Sequence, residues 1–177
     1  STGRDADPSD PGDWISSADT LTSTFRGCSV GNSSWHGTHV SGTIAALSDN
    51  GIGVAGIASG VKILPVRVLG KCGGYTSDIV DGMRWAAGLS ACKTSDGAGG
   101  CAEFAPANAN PARIVNISFG GSAACGAAYQ TAVDELRARG VVVAAAAGNE
   151  WSSPSRPASC AGVVGVAPGA RLWAVKV

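Results

Sequence analysis

Residues 113–149 read RIVNISFGGSAACGAAYQTAVDELRARGVVVAAAAGN. The stretch opens with a strand signature, Arg113–Ser118, rich in β-branched residues, and Gly120-Gly121 ends it. Ala127–Arg139 reads as a helix closed by Gly140, a good C-cap. Val141–Ala146 is a second apolar strand, buried by its composition, that runs into Gly148-Asn149. A strand, a helix and a strand in succession predict a parallel pair with a crossover helix. Functional groups in such sheets gather at the carboxyl ends of the strands. Gly120-Gly121 and Gly148-Asn149 both stand there.

Working outward, the pattern repeats upstream. Val61–Val68 is almost wholly apolar and predicts a third buried strand. Asp78–Leu89 fits an amphipathic helix with Ile79, Met83 and Ala86 or Ala87 on one face, and the Gly-containing segment Lys71–Thr76 is the loop before it. His36–Leu47 suits a helix packed closely against a neighbour, ended by Ser48-Asp49-Asn50-Gly51. Residues 1–35 read as irregular surface, and residues 92–112 as a Gly-, Ala-, Pro- and Asn-rich insertion bracketed by Cys92 and Cys101. The expected class is α/β, a parallel sheet covered by helices.

The composition narrows the function. Lys+Arg equals Asp+Glu at 13 each, so no net field attracts nucleic acid or an anionic membrane. No apolar run reaches the roughly 18 residues of a membrane span. No signal-peptide pattern occurs, which reads as a mature product or a piece of one. The six cysteines lack zinc-site spacing; their even number favours disulfides and an oxidising compartment, with 15 pairings open. Residues 163–177 (VVGVAPGARLWAVKV) match residues 54–68 (VAGIASGVKILPVRV) at six of fifteen positions. One short copy is not a repeat architecture; it is a coincidence of strand-like sequence or an anomalous terminus.

Chemistry concentrates in four places. The first is His36–Ala46, HGTHVSGTIAA. A histidine at a helix start can face a cleft while the helix anchors its backbone, and an imidazole with a pKa of about 6.5 can take and return a proton near neutrality. As ordinary histidines, His36 and His39 would be structural. As zinc ligands they lack the i, i+4 spacing and the intervening glutamate of the zinc-protease helix. The second is Ala144–Glu150, where Asn149 is a candidate amide donor or a plain turn asparagine. The third is Asn116–Gly121, and the fourth Leu69–Tyr75, both of which also read as Gly-rich connections.

Together, and in this order, these segments resemble the subtilase family of serine proteases. The resemblance runs from about residue 1 to about residue 165. It is to bacterial extracellular, disulfide-containing subtilases bearing Ser-Ser-Trp-His-Gly-Thr-His and Val-Leu-Gly-Lys-Cys-Gly-Gly, here Ser33–His39 and Val68–Gly74. It implies a subtilisin-like, three-layer fold with helices on both faces of the parallel sheet, of which residues 1–177 form the central part of one catalytic domain. His36 is then the catalytic base, His39 structural, and Asn149 the oxyanion donor. Gly73 and Gly74 would offer an edge to which substrate adds as a strand. Ser118, Phe119, Gly120 and Gly121 would form one wall of the S1 pocket and Ala146, Ala147 and Gly148 the other, which suits a large uncharged side chain. The resemblance also implies Cys28–Cys72 and Cys125–Cys160 bridges, leaving Cys92 with Cys101. It implies a structural calcium held by the carbonyls of Leu47, Ile52 and Val54 and the side chain of Asn50, with Asn50 favoured over Asp49 by spacing. The partners implied are polypeptide substrates and a propeptide or proteinaceous inhibitor. The protein is expected to be a secreted monomer.

The triad's other members have no motif here. Asp5, Asp7, Asp10, Asp13 and Asp19 lie in a breaker-rich stretch with no strand before them, and none is assigned as catalytic. No Gly-Thr-Ser-Met-Ala segment occurs, and Thr94-Ser95 lacks the preceding glycine. The catalytic aspartate and serine are therefore expected outside this sequence. The competing expectation is a non-catalytic peptide-binding derivative, and a zinc hydrolase is a third.

Overall fold

The computed structural model describes Arg4 and residues 9–58, 60–149 and 154–166. In chain order its elements are α1 (His36–Ala45), α2 (Thr76–Ala86), β1 (Cys92–Ser95), β2 (Cys101–Phe104), β3 (Ile114–Ile117), α3 (Ala127–Ala138), β4 (Val142–Ala146) and β5 (Val164–Val166). The chain forms two compact units, Ser1–Gly82 with Cys92–Pro106, and Met83–Ala91 with Ala107–Val177.

The second unit holds the parallel sheet, in the order β3-β4-β5. Ile114 pairs with Val142 and Ile117 with Ala145, both strands running the same way as expected. β5 extends the sheet on the other side of β4, with Ala144 opposite Val164. Val143, Ala145 and Ala147 alternate into the core, as a period of two requires. The helix α3 packs on β4. Its buried residues are Tyr129, Ala132, Val133 and Leu136, the i, i+3, i+4, i+7 stripe of a core-facing helix. Gly140 follows at φ 74°, and the Leu136 carbonyl accepts from the N–H of Arg139 and of Val141, both at 3.0 Å. That left-handed position is why glycine stands there. The Cys125–Cys160 bridge and the Gln130 side chain, which bonds Ala161 N–H at 2.9 Å and Ala161 O at 3.1 Å, fasten the segment before β5 to α3.

The first unit is organised differently. Gly82 of α2 lets the helix lie close to an apolar segment: a Cβ there would fall 2.5 Å from Val68 Cγ1. The expected strand Val61–Val68 is not a strand. Its alternation survives, with Leu64, Val66 and Val68 half-buried and Ile63, Pro65 and Arg67 exposed. Among the described residues no neighbouring segment pairs with it, and an apolar run without a ladder partner forms no sheet. The insertion at 92–112 contains an antiparallel hairpin of β1 and β2, stapled by Cys92–Cys101.

All three implied bridges are present, Cys28–Cys72, Cys92–Cys101 and Cys125–Cys160. Of the tail that matches residues 54–68, Val164–Val166 form β5 and residues 167–177 lie outside the described residues, as do Asp5, Asp7 and Glu150. No helix among the described residues is long and apolar enough to cross a membrane.

Candidate active site

In the first unit, His36 opens α1 and is exposed. The residue before it, Trp35, is the N-cap and lies in the left-handed region at φ 50° and ψ 28°, with no side-chain capping bond. A non-glycine residue there is uncommon and needs neighbours that impose it. The hydroxyl of Ser34 accepts the His36 N–H at a long 3.4 Å. Ser34 in turn donates its own N–H and O–H to the carboxylate of Asp13, at 2.6 and 2.7 Å. The Ser34 hydroxyl and then its N–H hold the Asp13 carboxyl below its ordinary range. His39 donates its N–H to Trp35 O, and its own carbonyl accepts the Thr43 hydroxyl. No three His, Cys, Asp or Glu side chains gather as metal ligands among the described residues.

The loop at Gly70–Gly74 folds back on itself. Gly70 and Gly73 exchange both main-chain bonds, at 2.8 and 3.3 Å. Lys71 reaches Asp19 at 3.0 Å and stands 4.4 Å over the Trp14 ring, while Cys72 is bridged to Cys28. The backbone and hydroxyl of Ser16, followed by Lys71, lower the Asp19 pKa to about 2. Of the two glycines expected at the substrate edge, Gly73 has its N–H and carbonyl committed to Gly70. Gly74 makes no main-chain bond among the described residues, and a Cβ there would fall 2.2 Å from Val68 O.

In the second unit the expected residues cluster at the carboxyl ends of β3 and β4. Ser118, Phe119 and Gly120 follow β3, and their main-chain groups make no backbone bond among the described residues. The Ser118 hydroxyl accepts from Asn116 Nδ2 at 2.9 Å. Ala146 ends β4, Ala147 is buried, Gly148 turns at φ 109°, and Asn149 is exposed beyond it.

Sequence reading missed what joins these two strand ends. Ser155 is buried; its N–H and hydroxyl both donate to Ala147 O, at 2.9 and 3.1 Å. The next residue, Arg156, exchanges two main-chain bonds with Gly121, at 3.0 and 3.1 Å. A Cβ on Gly120 would lie 2.8 Å from Ser155 Oγ and 3.0 Å from Arg156 O, so a side chain there would force Ser155 and Arg156 to shift. The Arg156 guanidinium rests over the Tyr129 ring at 5.8 Å. Nothing in the run SSPSRP announces this, because the contacts are main-chain bonds to residues far away in sequence.

The loop expected to hold calcium turns through left-handed Asp49, Gly51 and Gly53. The Asn50 side-chain oxygen accepts the Ile52 N–H at 2.9 Å. The carbonyls of Leu47, Ile52 and Val54 accept no hydrogen bond from the described residues. Oxygen donors on a tight turn fit a hard cation, and four of them are fewer than the six to eight that calcium takes, so further ligands are required.

The family model for subtilases matches residues 16–170. The chain belongs to the subtilase family. This subtilase is 46% identical over 167 residues to an extracellular protease of Xanthomonas campestris pv. campestris, a match that takes in 93% of this chain and 26% of the relative. It is 46% identical over 165 residues to an extracellular basic protease of Dichelobacter nodosus, across 92% of this chain and 26% of that protein. Subtilisin E of Bacillus subtilis matches 121 residues at 40% identity, 68% of this chain and 26% of its own. A solved protease from Pseudoalteromonas arctica superposes with a TM-score of 0.75 at 47% identity, over 91% of this chain and 43% of that one. The fold is thus subtilisin-like α/β, and the chain spans about a quarter of the length of the curated relatives it matches.

Proposed function

We propose that the full-length protein is a secreted serine endopeptidase in which His36 is the general base and Asn149 an oxyanion donor. The observation that best supports this is the exposed His36 at the first position of α1, in a chain that matches the family over residues 16–170. A serine hydroxyl supplied by the rest of the protein attacks the scissile carbonyl carbon. His36 takes the hydroxyl proton and passes it to the leaving amine, which departs as the acyl-enzyme forms. Water then adds to the ester by the same proton path in reverse. The Asn149 amide donates to the carbonyl oxygen as it gains charge.

Substrate binding is assigned to main chain that has no backbone partner among the described residues: Gly74 in the first unit and Ser118–Gly120 in the second. Small residues at Gly120, Ala146 and Gly148 favour a large uncharged side chain N-terminal to the scissile bond, and Ser155 is added to that pocket because it closes Gly120 toward Ala147. Calcium at Leu47, Asn50, Ile52 and Val54 would supply a fixed positive charge that rigidifies the turn. Three disulfides and the extracellular relatives support secretion. A propeptide or a proteinaceous inhibitor would occupy the same main-chain edges as substrate, and the protein is expected to act as a monomer.

The test is turnover of a peptide substrate and labelling of the full-length protein by an active-site serine reagent. His36→Ala is expected to lower kcat/KM by at least about 10²-fold and to slow labelling in proportion. Asn149→Ala is expected to lower kcat by about 10²–10³-fold with little change in KM, a range that comes from subtilisin itself. Saturable peptide binding with neither labelling nor turnover would establish the non-catalytic alternative instead.

A further inference from the structure

The start of α1 is held from outside the helix. Its N-cap, Trp35, contributes no side-chain bond and sits in a conformation that an L-residue rarely adopts. The bonds that fix the preceding turn come from a segment some twenty residues earlier in the chain. Asp13 receives both donors of Ser34, the N–H at 2.6 Å and the O–H at 2.7 Å. With its proton committed to Asp13, the Ser34 hydroxyl turns a lone pair toward the His36 N–H. The contact is reciprocal, because the Asp13 N–H donates to Ser33 Oγ at 3.1 Å. Gly12 is buried beside it, and a Cβ there would fall 2.2 Å from Ser33 Oγ. Two residues farther on, Ile15 and Gly31 exchange main-chain bonds at 2.9 and 3.0 Å, with Ile15 buried. Arg67 secures the far side, with Nη2 on Gly12 O at 3.0 Å and Nε on Asp10 at 3.1 Å.

We propose that Asp13 is a positioning residue for His36, acting through Ser34 to impose the left-handed turn from which the imidazole departs. The proposal rests on the reading of His36 as the base. A base must come within about 2.6–3.2 Å of the hydroxyl it deprotonates, and a misplacement of about 1 Å costs on the order of 10²-fold. The Asp13 carboxylate accepts without donating, which is what a serine presenting two donors needs. Asparagine at the same place accepts from one Ser34 donor and confronts the other with an N–H.

The test uses the full-length protein, normalised to the folded fraction by near-ultraviolet circular dichroism. Asp13→Asn and Ser34→Ala are each expected to lower kcat by about tenfold or more while KM for a peptide substrate stays within about twofold. Labelling by the serine reagent should slow by the same factor. Ser34→Thr, which restores the hydroxyl, should recover most of the rate. A kcat within about twofold of the parent in both Asp13→Asn and Ser34→Ala overturns the proposal, as does a Ser34→Thr variant no better than Ser34→Ala. His36→Ala separates the two levels. If it leaves turnover intact, the base assignment falls and takes this proposal with it. If it abolishes turnover while the Asp13 and Ser34 variants keep theirs, the positioning role alone is wrong.

Discussion

The two units carry the two halves of the proposed chemistry, and each is held together internally by different forces. In the second, Val133 and Leu136 are fully buried at 0% exposure, and Ile117 and Val143 lie within 2%, so the strand ends that present Ser118–Gly121 and Gly148-Asn149 rest on a packed apolar core. In the first, within this chain, which spans 43% of the length of its solved relative, α1 has no buried residue, and Leu47, Ile52 and Ile57 are 72%, 77% and 89% exposed. His36 is placed there by cross-links: the Cys28–Cys72 bridge, Lys71 on Asp19, Arg67 on Asp10 and Asp13 on Ser34. Arg4 adds a contact to Asp78, 2.6 Å away, at the start of α2. Dispersion and the hydrophobic effect are non-directional, whereas bridges and charge-assisted bonds act only where they are made. One unit should therefore weaken through lost volume and the other through lost links.

The largest effect that separates them is expected from opening the Cys28–Cys72 bridge, whose partners lie 44 residues apart. The chain-entropy relation gives about 4 kcal/mol for a loop of that size. In a Cys28→Ser, Cys72→Ser double variant, hydrogen exchange should accelerate in α1 and leave the amides of β4 unchanged. Equal acceleration in both would break the contrast. Next is Leu136→Ala, which removes a fully buried side chain and should cost about 3 kcal/mol. Here exchange should quicken in Val142–Ala146 and not in α1, the mirror image of the first result. The smallest effect concerns acid. Asp19 has its pKa lowered from 3.8 to about 2, so the unfolded chain takes up its proton first as pH falls. The stability it lends is complete above about pH 4 and is lost as pH drops through about 2. Thermal unfolding of parent and Asp19→Asn should therefore differ at pH 5 and converge only below about pH 2; a difference that persists there would show that Asp19 acts through its shape.

The same contrast explains what could be read in advance. The βαβ stretch 113–149 declares itself because each of its periods is complete within a dozen residues and the helix brings its own glycine stop. The segments around His36 and Asn149 resemble subtilase motifs through the residues that surround them in the chain, and the family match over residues 16–170 bears out that resemblance. Val61–Val68 misled because an apolar run reports burial, while a strand also requires a partner for its main chain. The β1–β2 hairpin was hidden by polar strand residues such as Lys93, Thr94 and Glu103 around a Gly-rich turn, with only its cysteines to mark it. Asp13 could be seen but not assigned, since its meaning lies in a serine twenty-one positions away. Ser155 and Arg156 escaped for the same reason, their partners being carbonyls and N–H groups that every residue carries.

The Cys28–Cys72 bridge has one more consequence. It makes residues 28–72 a closed ring, and the exposed apolar residues Leu47, Ile52, Val54 and Ile57 lie on that ring. A single peptidase cut between Cys28 and Cys72 opens the ring and severs nothing from the molecule, which gains only the mass of one water. Nicked and whole molecules would migrate together until a reductant separates them, and the His36 side of the nick would stay tethered to the Gly70–Gly74 loop.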